Sequence, residues 1–174
     1  MKTKTDNILL TMHVLAWVAV CGFIGKAGAI LISYVVSINN PVGAKNMYMG
    51  LDFSAIRQYD LGQYTATIFM MVSIVLLEAY IAYLVTKALS QIKMTKPFTP
   101  EVSKVLVTIS TVMLFTWIAA MIYNAHQSWL AKNITGMQPN YIPGEFILMA
   151  GVVFVLAQIF KKGVEFQTEN ELTV

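Results

Sequence analysis

Apolar residues along this chain collect in four long runs, at about 8–36, 64–89, 102–123 and 142–160, separated by shorter polar stretches. Each run approaches or exceeds the ~20 residues that cross ~30 Å of hydrocarbon at ~1.5 Å per residue. None alternates apolar and polar positions as a membrane barrel strand does. In lipid every backbone polar group has to be satisfied within its own segment, so the runs predict helices. Their ends carry matching chemistry. Asp60, with Gln63 three residues on, can cap the second helix reciprocally. Thr99-Pro100-Glu101 offers the third a hydroxyl cap, a proline at the first helical position and an acid in the first turn. Asn39-Asn40-Pro41 ends the first. Between the first two runs, residues 51–56 read as a short surface helix capped by Asp52, with Tyr48, Tyr59 and Tyr64 placed at the interface.

Composition points the same way. Of 174 residues, 57% are hydrophobic and only 12% charged, against about 25% charged in soluble domains. Such a chain has too little polar surface to stay dispersed in water, which makes lipid its solvent. The outline of a signal peptide is present at the start, with Lys2 and Lys4 before an apolar stretch and Ala27-Gly28-Ala29 as a cleavage-like site. The apolar stretch is too long for that role, contains Lys26, and continues through Ile30-Leu31-Ile32, so a retained helix is expected. Basic residues set the orientation. Lys2, Lys4, Lys87, Lys93, Lys96, Lys104, Lys161 and Lys162 flank one side, and only Lys45, Arg57 and Lys132 the other. The expected architecture is all-α: an integral membrane four-helix bundle, up-down-up-down, a single domain over residues 1–174. Both termini lie in the cytoplasm of a bacterial cell, the connections 37–63 and 124–141 lie outside, and a short cytoplasmic tail covers 161–174.

Charge and motifs exclude more than they assign. A net charge of +3 is too small to argue for nucleic acid. The lone Cys21 rules out an internal disulfide and paired-thiol chemistry. There is no nucleophile–base set, zinc spacing or phosphate loop, so a non-enzymatic protein without cofactor or metal is expected. His13 and His126 fall near opposite membrane faces and read as packing residues, and Trp17, Trp117 and Trp129 as packing or belt residues. Thr108, Ser110, Thr111 and Thr116 fit back-bonding or interhelical hydrogen bonds better than a pore lining.

Two ionisable residues stand inside apolar runs, Lys26 in the first and Glu78 in the second. A central charge in a membrane helix costs roughly 2.5–3.5 kcal/mol on insertion scales, so such residues face protein or water. Cys21, Gly25, Ala29 and Ser33 form a small-residue stripe at four-residue spacing that predicts a close helix contact beside Lys26. Glu78 shares a face with Ala82 and Thr86. Pairing of Lys26 with Glu78 across the first two helices is the resulting expectation, either as a structural salt bridge or as part of a transport route.

The end of the chain is patterned. Residues 162–173 read basic-Gly-Val-Glu-x-Gln-x-Glu-Asn-acidic-Leu-Thr, and by this motif the chain resembles the bacterial membrane family called domain of unknown function 2975. Residues 23–27, 50–56 and the Lys-Pro-Phe-Thr of 96–99 are similar to segments of that family as well. The place of Lys26 usually holds an acid there, within Ile-Glu-Ala-Gly, and that of Glu78 often a lysine. The exchanged signs here suit a compensated pair. The resemblance implies no activity. Because members are often encoded beside a small helix-turn-helix regulator of the phage-repressor type, it implies a protein that tethers such a regulator at its cytoplasmic face. Candidate contact residues on the tail are Lys162, Glu165, Gln167, Glu169, Asn170 and Leu172. The leading expectation is thus an accessory or regulatory inner-membrane protein, embedded in the bilayer, binding no nucleic acid directly and compatible with a homo-oligomer. The alternative is a small transporter or channel using Lys26 and Glu78.

Overall fold

In a computed structural model, residues 4–92 and 98–172 are described, with side chains from 7 to 92 and from 98 to 169. Lys2, Lys93 and Lys96, three of the basic residues used for orientation, lie outside the described residues, as does the Lys-Pro half of the 96–99 motif. The described residues are all-α, without strands. Helix α1 runs Lys4–Asn39, followed by 3₁₀ turns Pro41–Lys45 and Tyr48–Gly50, the short α2 Ser54–Tyr59, then α3 Leu61–Gln91, α4 Pro100–Asn133 and α5 Phe146–Leu172. Four of these helices are long and apolar enough to cross a membrane. Their apolar side chains go round the helix instead of forming one stripe. On α1, Ile8, Leu15, Val18, Ile24 and Ile32 are each more than half exposed. Water would not tolerate that much bare hydrocarbon, whereas acyl chains cover it. These are the features of a multi-pass membrane protein.

The helix ends follow the local chemistry. Asp60 Oδ1 accepts from the Gln63 backbone N–H at 2.7 Å. Thr99 Oγ1 accepts from Val102 N–H at 3.3 Å, with Pro100 as the first helical residue. Asn40 closes α1 and caps the next turn by accepting from Val42 N–H. Asp52 does not cap α2 at its second or third residue. It accepts from both the N–H and the hydroxyl of Ser54, and these two hydrogen bonds hold its carboxyl below the usual carboxylate range. One connection is shorter than expected and the tail is helical, because helix continues through polar sequence: α4 extends past Tyr123 to Asn133, and α5 extends past Phe160 to Leu172. Neither extension contains a proline, and Ala125, Gln127, Leu130, Ala131 and Lys132 in one, with Lys161, Lys162, Glu165, Gln167 and Glu169 in the other, favour helix enough to carry it through Gly163.

The chain divides into two compact units. The first comprises Met1–Val20, Ala79–Phe115 and Glu145–Val174. Its core is Leu84 and Ala88 of α3, Val105, Ile109 and Met113 of α4, and Ala150 of α5. Ser110 Oγ donates to the Ala150 carbonyl at 3.0 Å, which places this hydroxyl between helices. Thr108 and Thr111 donate back to the carbonyls of Lys104 and Val107 within α4.

The second unit comprises Cys21–Glu78 and Thr116–Gly144. Its core joins Ala27 and Ile30 of α1, Tyr64, Ile68, Met71 and Val75 of α3, and Ala120, Tyr123 and Leu130 of α4. The connection between α1 and α3 adds Ala44, Met47, Phe53 and Ile56 to that core. It is therefore packed structure, and it satisfies its own backbone: Met47 N–H donates to Leu51 O, Gly50 N–H to Met47 O, and Phe53 N–H to Ala44 O. Two expectations change here. Tyr64 is fully buried, not interfacial, because the Ser37 hydroxyl and the Met47 sulfur give its phenol partners inside the unit. The small-residue stripe of α1 is also not the packed face: an added Cβ on Gly25 would meet nothing within 4 Å. The buried face is Ala27, Ile30 and Ser37, with Leu31 and Tyr34 packed against the same core.

Candidate functional site

Lys26 and Glu78 both line one cavity of the second unit, about 280 Å³ in volume. Helix α3 contributes Met71, Ile74, Val75 and Glu78 at spacings of three and one to three residues, the face of a helix that points one way. The connection after α1 contributes Tyr48, Met49 and Leu51, and residues 140–143 close the remaining side. Both ionisable residues are half-buried. They are near enough for the Lys26 charge to act on Glu78, yet no ion pair within 4.0 Å joins them. The residues singled out from sequence are thus brought to one place, facing a shared space instead of closing on each other.

The walls of this cavity are built by specific local devices. Met49 adopts φ 58°, ψ 31°, and Gly50 follows at φ 78°. Glycine takes the left-handed region freely; Met49 takes it while 83% exposed, in a turn closed by the backbone hydrogen bonds Gly50 N–H to Met47 O and Met47 N–H to Leu51 O. Consecutive left-handed residues turn the chain sharply, so that Tyr48 and Leu51 both reach the lining. On the other side, Asn124 of α4 grips Ile142 by both backbone groups. Its Oδ1 accepts from Ile142 N–H at 2.8 Å, and its Nδ2 donates to Ile142 O at 2.8 Å. Fully buried Gln127 accepts from the Asn140 N–H at 3.3 Å, and Ser128 meets the Tyr141 hydroxyl at 3.2 Å. Three side chains within about one helical turn of α4 therefore hold the irregular segment 140–142 in place. Sequence reasoning missed this set. The available signal was amide and hydroxyl side chains at 124, 127 and 128, opposite a stretch with no secondary structure of its own.

If the two charges depend on each other, removing one should cost more than removing both. Lys26→Met and Glu78→Met are each expected to lower stability by roughly 1–3 kcal/mol, below the 3–5 kcal/mol of a fully buried contact pair because both groups keep partial exposure. The double change should recover part of that loss, read as melting in detergent and yield in membranes. A double variant no better than the worse single one would break the link between them.

His13 and His126 take packing roles. Trp17 Nε1 donates to His13 Nε2 at 3.2 Å along α1. The His126 ring stacks on Trp129, with Nε2 3.1 Å from the Thr67 hydroxyl.

The C-terminal candidates lie on the continuous helix α5. Lys162 pairs with Glu165 one turn on, both outward-facing. Glu169 is exposed and Gln167 half-buried. Asn170 and Leu172 belong to the helix by backbone, and their side chains lie outside the described residues. Gly163 sits under the ring of Phe98, which also meets Phe160 edge-to-face at 5.2 Å between ring centres. The 96–99 segment and the tail motif, read separately in the sequence, thus meet at Phe98 and Gly163.

The family model described as Protein of unknown function (DUF2975) matches residues 15–174. No curated protein and no solved structure matches the chain.

Proposed function

This chain belongs to the DUF2975 family, whose activity is uncharacterised, and we propose that it is a non-enzymatic accessory or regulatory protein of a bacterial inner membrane whose helix α5 docks a soluble cytoplasmic partner. A small helix-turn-helix regulator is the partner that the family resemblance implies. One observation carries the reading: α5 does not stop where its apolar sequence does. It continues as helix for twelve residues after Phe160, roughly 18 Å at ~1.5 Å per residue. On this extension Phe166 is 63% exposed among Lys162, Glu165 and Glu169. An exposed aromatic on an ordered helix, at the end of an apolar groove lined by Phe98, Phe154 and Ile159, suits a protein interface, where aromatic anchors supply most of the binding energy.

The test is a crosslinking pull-down from native membranes with the full chain, the chain lacking residues 163–174, and Phe166→Asp, which keeps the helix. A cytoplasmic protein captured by the full chain should be lost from both variants. Identical partners from all three would overturn the docking reading.

A further inference from the structure

We propose that the cavity between α1, α3 and the two connections of the second unit binds a small zwitterion with an apolar body, its anion at Lys26 and its ammonium at Glu78. The proposal rests on that cavity and not on the C-terminal helix, so it stands or falls apart from the docking reading.

Three features of the cavity lead to it. First, its lining holds one lysine and one glutamate, on different helices, that form no ion pair with each other. Charges taken out of water need a counter-charge or hydrogen-bonding partners, and a cavity that presents both signs is matched by a guest that carries both. A guest with a single charge would satisfy one group and leave the other more costly. Second, the rest of the lining is mainly apolar, from Met71, Ile74, Val75, Leu51 and Ile142, which favours a hydrocarbon body over a sugar or a hydrated ion. Third, one wall is pre-formed by side-chain hydrogen bonds: Asn124 grips both backbone groups of Ile142, and on the other side the turn at Met49 and Gly50 is closed by backbone hydrogen bonds. Pre-formed walls spare a guest the cost of ordering them. A volume of about 280 Å³ admits a molecule the size of a free amino acid, not a peptide.

The shared chemistry, an ammonium and an anion a few ångströms apart beside hydrocarbon, is offered by a free α-amino acid with an aliphatic or aromatic side chain. A phosphatidylethanolamine headgroup offers it as well. The experiment separates the two. The full chain, purified in detergent and stripped of lipid, is titrated with L-leucine, L-phenylalanine, leucinamide and isocaproate, with binding read by calorimetry and by thermal shift. In parallel, its melting is compared in nanodiscs of phosphatidylethanolamine and of phosphatidylcholine, whose quaternary ammonium has no N–H to donate.

A thermal shift with the amino acids, and at least about tenfold weaker binding of each singly charged analogue, supports the site with a free ligand. Stabilisation by phosphatidylethanolamine over phosphatidylcholine, without an amino-acid effect, supports it with a lipid ligand. In either case Lys26→Met and Glu78→Gln should each abolish the response, while Lys87→Met, outside the cavity lining, should leave it intact. The analogue series on the unaltered chain keeps the test decisive if a variant folds poorly. No response to any zwitterion, equal binding of the singly charged analogues, or a response that survives both substitutions would overturn the proposal.

Discussion

Asn124→Leu should be among the most destabilising single substitutions in the second unit, by about 2–4 kcal/mol, although leucine keeps the branching and side-chain heavy-atom count of asparagine. The side chain it replaces completes two hydrogen bonds to one residue, Ile142, whose N–H and carbonyl have no helix or strand to supply partners. Leucine leaves both groups unpaired in half-buried surroundings, and each orphaned group costs on the order of 1–3 kcal/mol. Asn124→Asp separates the two bonds. It keeps an acceptor for the Ile142 N–H but sets a carboxylate oxygen against the Ile142 carbonyl, so it should lose roughly half as much. Because residues 140–143 form one wall of the Lys26–Glu78 cavity, any ligand response should disappear with the Leu variant. Melting in detergent checks the first claim. A Leu variant that melts with the parent would show that the segment is held by something other than Asn124.

Gly163→Ala should destabilise the first unit by about 1–3 kcal/mol, against the ordinary sign of this exchange. In an exposed helix interior, alanine in place of glycine gains up to ~1 kcal/mol, since the unfolded chain loses less freedom. Here an added Cβ would stand 2.5 Å from Cδ1, 2.7 Å from Cγ and 2.9 Å from Cε1 of Phe98. These atoms belong to the root and near edge of a ring already packed on Phe160, so the whole side chain has to move. A double-mutant cycle makes the cause visible. In a Phe98→Ala background the clash is gone, and Gly163→Ala should return to neutral or stabilising. If Gly163→Ala stabilises the parent chain, the Phe98 ring does not rest on Gly163. The consequence reaches the docking reading as well, since this contact pins α5 just where it leaves its apolar stretch.

The sequence by itself determined the all-α class and the four long apolar helices. It also set the chemistry at their ends, because these are local properties. Run length, the lack of alternation, the Thr99-Pro100 start and the Asn39-Asn40 stop act through neighbours in the chain, and the backbone's need for internal hydrogen bonds in lipid leaves helix as the answer. Lys26 and Glu78 stood out for the same reason, as charges where hydrocarbon was expected. What surrounds them was decided only by tertiary structure. Which face of α1 is buried could not be read, because apolar residues go all the way round and a small-residue stripe competes with the Ala27–Ile30–Ser37 face. The inward turn of Tyr64 depends on a hydroxyl 27 positions earlier. The grip of Asn124 on Ile142 and the seat of Phe98 on Gly163 likewise join residues far apart in sequence, with no periodicity to announce them. Contacts of that kind arise when helices and connections come together in space, and they turn two unexpected charges into the lining of one cavity.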